Sequence, residues 1–315
     1  MKTPPLSIVI CTRRRPELLE GAVGALASQE GREACFEVLV VDNDDRPDTG
    51  VERVVEQYRS ALDIRYVRER TIGLSHARNA GGREARADYI GYLDDDVRVP
   101  STYVATVLTG LTEYDPDVLG GPYHPLYADP KPAWFRDEYA AGCRLGDARF
   151  LSRGEFVSGG NVVLRRGVLE AAGWFDPNYG MRGDRRWYAE ETALQLRAWD
   201  RNPALKVYFD PAAWVHHLVP ACKMRVGYGL RTSFRMGRCQ ADLFPTGAGG
   251  GADKKGSVST LARVSLHLCC DGTFGVLFRK RERYPCWQNY YCEHVSKWFR
   301  RLGHAVALVR DGRSE

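Results

Sequence analysis

Three adjacent carboxylates, Asp94, Asp95 and Asp96, end the apolar run Tyr89 to Leu93. Buried bare, they would repel one another and could not all stay ionised. At the C-terminal end of a strand in an open α/β sheet, where ligands collect, they can hold a divalent cation instead. Hard oxygen donors of this kind suit Mg2+ or Mn2+. A solvated acidic turn uses the same residues, and the run by itself does not choose between the two. A second acidic pair, Glu190-Glu191, lies in the first turn of the helical pattern that starts at Tyr188. The helix dipole favours acids there, and a carboxylate facing a reacting centre is also a general base. His216 and His217 end a late apolar stretch, and an isolated histidine is more often packed than ligating.

The elements that would position these groups alternate regularly. Leu6 to Cys11 predicts a buried strand stopped at Thr12-Arg-Arg-Arg15, and Pro16 to Ser28 an amphipathic helix with proline in its first turn. Phe36 to Val41 predicts a second strand, ended by Asp42-Asn-Asp-Asp45; a helix over Val51 to Arg59 and an outer strand over Asp63 to Val67 follow. Leu74 to Arg86 has helical periodicity and leads into the strand Tyr89 to Leu93. Short connections between alternating strands and helices predict an α/β fold with a doubly wound, mostly parallel sheet. Thr12, Asp42 and Asp94 would then share one sheet edge, which is where such folds bind nucleotides. Ser101 to Tyr114 predicts a helix capped by Ser101, and Gly120 to Phe135 a loop rich in proline, glycine and aromatics that shapes a groove. Ser158-Gly-Gly-Asn161 places small residues where a backbone approaches something closely, either as a tight turn or as a loop against a ligand. Gly167 to Gly173 predicts a short helix, and Val207 to Pro211 a late strand running on to Trp214-Val-His-His217.

Hydrophobic residues make up 44% of the 315, enough for a substantial core. No apolar run reaches about eighteen residues, so no membrane span is predicted. The first residues lack a signal-peptide core, and cytoplasmic residence is the default expectation. Nine scattered cysteines suggest neither a disulfide framework nor a zinc pattern. Gly247 to Gly256 reads as a linker, and the tail beyond it is basic and aromatic: Arg279-Lys-Arg-Glu-Arg283, Tyr284, Trp287, Tyr290, Tyr291 and Trp298-Phe-Arg-Arg301. A solvated helical face is the first reading of that tail, and peripheral contact with an anionic membrane surface the second. Nucleic acid is set aside, because the aromatics have no OB or RRM frame.

Taken in order, Ser7-Ile-Val-Ile-Cys-Thr12 with Arg15-Pro-Glu-Leu-Leu19, Val40-Val-Asp-Asn43, Gly73 to Ala80, and Leu93-Asp-Asp-Asp96 resemble the family 2 glycosyltransferases of GT-A fold. Ser158 to Asn161, Gly173-Trp-Phe-Asp176, Glu190-Glu191-Thr-Ala-Leu194 and Pro211 to His217 extend the resemblance over about residues 5 to 240. It implies a GT-A domain over 1–245, with a Rossmann-like nucleotide-binding half over about 1–100 and an acceptor half over about 101–245; the basic-aromatic, helical extension is 246–315. It implies Thr12, Asp42 and Arg78 at the nucleoside, with Asp42 accepting from the base, and Asp94, with its neighbour Asp95, toward the ribose or donor sugar. Asp96 would bind the metal, Mn2+ or Mg2+, and His217 rather than His216 would stand near that metal or the diphosphate. Glu191 stands where the family has its catalytic base, usually an Asp, and Glu190 lies beside it on the acceptor side. Arg13-Arg14 replaces a usual Tyr-Asn, so Arg14 is a phosphate contact or a solvated residue.

Within that frame Gly160 and Asn161 would lie against the donor sugar, and Trp134, in its proline-rich loop, would stack on the acceptor. The expected activity is inverting, metal-dependent transfer from a nucleotide sugar, a UDP-sugar by the resemblance, to a saccharide or lipid-linked hydroxyl in polysaccharide or glycolipid assembly. The enzyme would work in the cytoplasm, or peripherally at the inner face of the membrane. A nucleotidyltransferase that forms NDP-sugars is an alternative, but it would need a Gly-rich, Lys-containing loop after the first strand. A nucleotide-sugar-binding module without turnover is another, and intact Asp94, Asp96 and Glu191 count against it.

Overall fold

A computed structural model describes residues 3–30, 36–183, 187–244 and 254–311. The chain divides into two units, one made of 1–126, 141–185 and 190–218, the other of 127–140, 186–189 and 219–315.

In the first unit, β-branched and leucine-rich runs form the buried strands β1 (Leu6–Thr12), β2 (Phe36–Asp42), β3 (Asp63–Arg68) and β4 (Tyr89–Asp94). Between them run α1 (Pro16–Ala27), α2 (Thr49–Tyr58) and α3 (Leu74–Glu84). Helix α2 starts two residues before its apolar pattern, because the Asp48 carboxylate accepts from the Gly50 N–H at 2.8 Å and caps it. The chain continues through β5 (Val97–Arg98), α4 (Tyr103–Tyr114), β6 (Val118–Gly120), β7 (Tyr123–Tyr127), β8 (Arg149–Phe150), β9 (Asn161–Arg165) and α5 (Arg166–Ala172). It ends with α6 (Glu190–Arg201), β10 (Val207–Phe209) and β11 (Val215–Val219). The main sheet has the order β3-β2-β1-β4-β9-β6-β10-β8, with β9 antiparallel to both of its neighbours. Side chains alternate between its faces, so Leu6, Ile8 and Ile10 meet α1, α2 and α4, while Val9, Leu39 and Val41 meet α3. Both faces are covered, which explains the near-continuous apolar strands.

Three expectations need correcting. Ser101 does not cap α4; its hydroxyl donates to Glu30 at 2.5 Å, and the helix begins at Tyr103. The late strand is two strands in different sheets, because Asp210 folds the chain back by accepting from the Ala212 N–H at 2.8 Å. The stretch 120–135, expected to be rich in loop without a repeating element, contains β7, which shares a small sheet with β5 and β11. The unit that holds the tail also takes in residues before 246: 127–140, 186–189 and 219–245 cluster with it. Of the linker Gly247 to Gly256, residues 247–253 lie outside the described residues, and Lys254 already opens a helix.

The second unit is helical: α7 (Val226–Leu243), α8 (Lys254–Cys270), α9 (Trp287–Tyr290) and α10 (Ser296–Asp311). Helices α7 and α10 cross backbone to backbone. A Cβ on Gly237 would collide with the Arg300 carbonyl, and one on Gly303 with the Phe234 carbonyl. Residues 127–140 are tied to α9 and the turn after it: Asn289 Nδ2 donates to the Trp134 carbonyl at 2.7 Å, and Arg136 and Tyr139 both donate to Glu293.

Asn161, at the start of β9, ties the main sheet to α4 and to the turn that precedes β11. It is 1% exposed; its Nδ2 donates to the Ala213 carbonyl at 2.8 Å, and its Oδ1 accepts from the Tyr103 hydroxyl at 2.8 Å. Asn161→Leu keeps the branched shape and strands both partners in the interior. Urea unfolding should show a loss of about 1–3 kcal/mol, the usual cost of buried polar groups left unmet.

Candidate active site

The site is built where the strand order reverses, between β1 and β4. Register pairs Thr12 with Asp42 and Cys11 with Asp94, so the polar C-terminal ends of three strands share one edge. Just beyond, the short antiparallel pairing of β11 with β5 sets His217 opposite Val97, and the Leu218 N–H donates to the Asp96 carbonyl. That register points His217 at Asp96, with Nε2 3.4 Å from Oδ1. His216 faces the other way, with its ring against Trp214 at 4.9 Å. Asp94, Asp96 and His217 each offer a ligand atom within 4.8 Å of the others, and all three are half-buried. Two carboxylates and an imidazole so placed suit a Mn2+ or Mg2+ ion that keeps open positions for water or phosphate oxygens.

Behind this cluster lies Arg78, on α3 and 3% exposed. One guanidinium nitrogen donates to Glu190 Oε1 at 2.7 Å and another to Asp94 Oδ1 at 3.3 Å. Burial works against its charge, but Glu190, Asp94 and Glu191 outweigh that and hold the guanidinium firmly protonated. Gly159 and Gly160 are small for this reason. A Cβ on Gly160 would strike the Asp94 carboxylate, and one on Gly159 would come within 2.8 Å of Arg78 and 3.0 Å of the Glu191 Cβ. The close approach expected of the Ser-Gly-Gly turn is therefore to the site's own carboxylate and guanidinium.

Glu190 and Glu191 open α6, after Ala189, whose φ of 80° an L side chain rarely adopts. Their fates differ. Glu190 is spent on Arg78. Glu191 has no ion-pair partner among the described residues, and burial, with the charge of Glu190, pushes its carboxyl up to about 8 against the pull of Arg78. A carboxyl held this close to neutrality can exchange a proton in working conditions.

Several expected nucleotide contacts are occupied elsewhere. Arg78 serves the two carboxylates just described. Asp95 is 5% exposed, accepts from the Thr12 hydroxyl at 2.8 Å and pairs with Arg15 at 3.2 Å, so Thr12 and Asp95 brace the first loop. Burial raises the Asp95 carboxyl to about 6. Arg14, with φ 54°, turns its exposed guanidinium onto Asp44 at 2.6 Å, and Arg13 binds the same carboxylate. Both ends of the Asn161 amide are used inside the fold. Asp42 is fully buried: its Oδ2 accepts from the Tyr66 hydroxyl and the Asp48 N–H, and its Oδ1 has no partner among the described residues. Trp134 belongs to the other unit, where its ring packs against Phe135 and Tyr139.

Tyr123 is a site residue with no signal in the sequence. Its ring lies 5.7 Å from that of His217, a Cβ on Gly160 would come within 2.8 Å of its hydroxyl, and burial beside Asp94 raises that hydroxyl well above its usual range. It lies on β7, inside the stretch that composition marks as loop.

This sheet, with its carboxylates at the edge beyond β4, is the GT-A glycosyltransferase fold. PcManGT, a mannosyltransferase from Pyrobaculum calidifontis solved in complex with GDP-Man and Mn2+, superposes with a TM-score of 0.63 at 15% identity, over 99% of this chain and 88% of that one. The sequence model of "Glycosyl transferase family 2" matches residues 7–173, and the chain belongs to that family of glycosyltransferases. The succinoglycan biosynthesis protein ExoM of Rhizobium meliloti is 28% identical over 254 residues, 79% of this chain and 78% of its own. The glucosyl-dolichyl phosphate glucuronosyltransferase of Haloferax volcanii is 26% identical over 220 residues, 67% of this chain and 68% of its own.

A carboxyl raised in the native state weakens that state once the unfolded chain ionises. Between pH 4.5 and about 8 the native chain keeps the Glu191 proton that the unfolded chain has lost, so stability falls as pH rises through this window. Glu191→Gln removes this dependence. Without divalent metal, its melting temperature should equal or exceed that of the wild type by a margin that widens toward pH 8; a margin that narrows with pH would refute the raised carboxyl.

Proposed function

We propose that this chain transfers a sugar from a nucleotide-sugar donor to an acceptor hydroxyl, with inversion at the anomeric carbon and dependence on Mn2+ or Mg2+, in the assembly of a polysaccharide or glycolipid. The observation that carries this is the pairing of a cation-fitting cluster, Asp94, Asp96 and His217, with a buried carboxyl at Glu191 that has no ion-pair partner among the described residues, both anchored to Arg78 or packed on its glycine turn. The matched relatives, named for succinoglycan biosynthesis and for glucuronosyl transfer to a glucosyl-dolichyl phosphate, support the substrate class. The unmet Asp42 Oδ1 at the end of β2 supports a nucleobase N–H as its partner. A nucleotidyltransferase is disfavoured, because Arg13 and Arg14 are committed to Asp44 where its phosphate loop would stand.

Asp94, Asp96 and His217 would hold the cation, which supplies neutralisation of the charge that develops on the diphosphate leaving group. The remaining work falls to the chain's own groups. Glu191 takes the acceptor hydroxyl's proton as the new glycosidic bond forms. Arg78 keeps Asp94 turned to the cluster and stops Glu190 from competing as the base. The Gly159-Gly160 backbone leaves the carboxylates room to stand side by side.

Asp96→Ala should abolish metal-dependent binding of a nucleoside diphosphate by titration calorimetry. Glu191→Gln should bind the donor normally and lose about 10²–10⁴ in kcat. Glu190→Gln should lose less rate and instead lower stability by about 1–3 kcal/mol, because the buried Arg78 loses a charged partner. If the two glutamate variants exchange behaviour, Glu190 is the base.

A further inference from the structure

The proposed chemistry does not use the rod formed by α8 and the π turn that continues it, Asp271–Gly275. One side of this rod is fixed. Val264 is buried, His267 stacks on Trp298 at 4.1 Å, and Leu268 and Val276 pack with Tyr284, Tyr290 and Val295. Asp271 anchors it, its Oδ2 accepting from Trp298 Nε1 at 2.7 Å and lying 3.0 Å from His294 Nε2. The other side is apolar and bare: Leu266 is 64% exposed, Phe274 67%, Leu277 70% and Phe278 83%, with exposed Cys270 between them. Among the described residues the next most exposed large hydrophobic is Trp287, at 48%. Spacings of four, four and three place Leu266, Cys270, Phe274 and Leu277 in one stripe. Scattered apolar exposure is ordinary, but a rigid stripe of this kind marks a contact surface.

Charge identifies what covers it. Arg279 closes the end of the rod by donating to the Val276, Tyr284 and Pro285 carbonyls. Beyond that cap stand Lys280 and Arg281, both exposed and without an ion-pair partner among the described residues. We propose that the stripe Leu266–Phe278 and its basic edge, Lys280 and Arg281, seat this chain on an anionic lipid surface, with the phenylalanine rings at the acyl boundary and the cations at the headgroups. No described helix is long and apolar enough to cross a membrane, so the contact lies on the bilayer. A second copy of the chain fits less well, since between Leu266 and Phe278 it would offer Lys280 and Arg281 one acid, Asp271, already engaged by Trp298 and His294. The nucleotide-sugar chemistry does not enter this proposal.

Flotation of the full chain with vesicles tests it. Phosphatidylcholine vesicles with about one third phosphatidylglycerol should bind the chain at least about tenfold more tightly than phosphatidylcholine alone. The triple variant Phe274→Ser/Leu277→Ser/Phe278→Ser, changed only at exposed positions, should lose about tenfold or more on anionic vesicles. Lys280→Glu/Arg281→Glu should lose the preference for anionic vesicles. The proposal is overturned if the wild type stays unbound, or if either variant floats like the wild type. It is also overturned if sedimentation shows a dimer that the triple variant dissolves while vesicle binding is unchanged.

Discussion

The site depends on one buried guanidinium. Arg78 lies under the sheet edge, 5.3 Å from the Phe175 ring, and bridges a carboxylate on β4 to one at the head of α6. Stripped of water, it needs both anions, and they need it. The bridge fixes the distance between the strand that carries the cation ligands and the helix that carries Glu191. Three acidic groups gather around this one cation, so the negative excess is left on the open side, toward Asp96 and His217. A divalent cation held there would offset it.

The two glutamates at the head of α6 show how position divides like residues. Both gain from the helix dipole, and by type they are interchangeable. Glu190 points at Arg78 and is held as a structural anion. Glu191, one residue on, is rotated about a quarter turn and receives only part of that attraction against a larger desolvation. Its usefulness as a base and its cost to stability have the same origin, a carboxyl placed where ionisation is resisted.

The skeleton of this arrangement was legible in the sequence. Apolar runs cut off by Thr12, Asp42 and Asp94 located three strand ends, and the family resemblance singled out His217 over His216. What was hidden are the partners. Residue type showed that Arg78, Asp95 and Asn161 were polar groups among site motifs, but not that each was already satisfied from within by residues between 16 and 112 positions away. Tyr123 stayed hidden because a five-residue strand that includes a proline has no readable period. The second unit stayed hidden because its ties join residues 127–140 to residues beyond 280, and no local pattern records such a pairing.

That last feature also sets an order of events during synthesis. Trp134 and Asn289 are 155 residues apart along the chain, and Tyr139 and Glu293 are 154 apart. At about 5–20 residues per second, the aromatic segment leaves the ribosome on the order of ten seconds or more before its hydrogen-bonding partners exist. The strands β1 to β4 close among themselves in that interval, whereas Trp134, Phe135 and Tyr139 wait with apolar surface uncovered. On the growing polypeptide, this short segment is where a chaperone has reason to bind; Val219 and Met224 cover part of it first, and its hydrogen-bonding partners come last, with α9 and the turn after it.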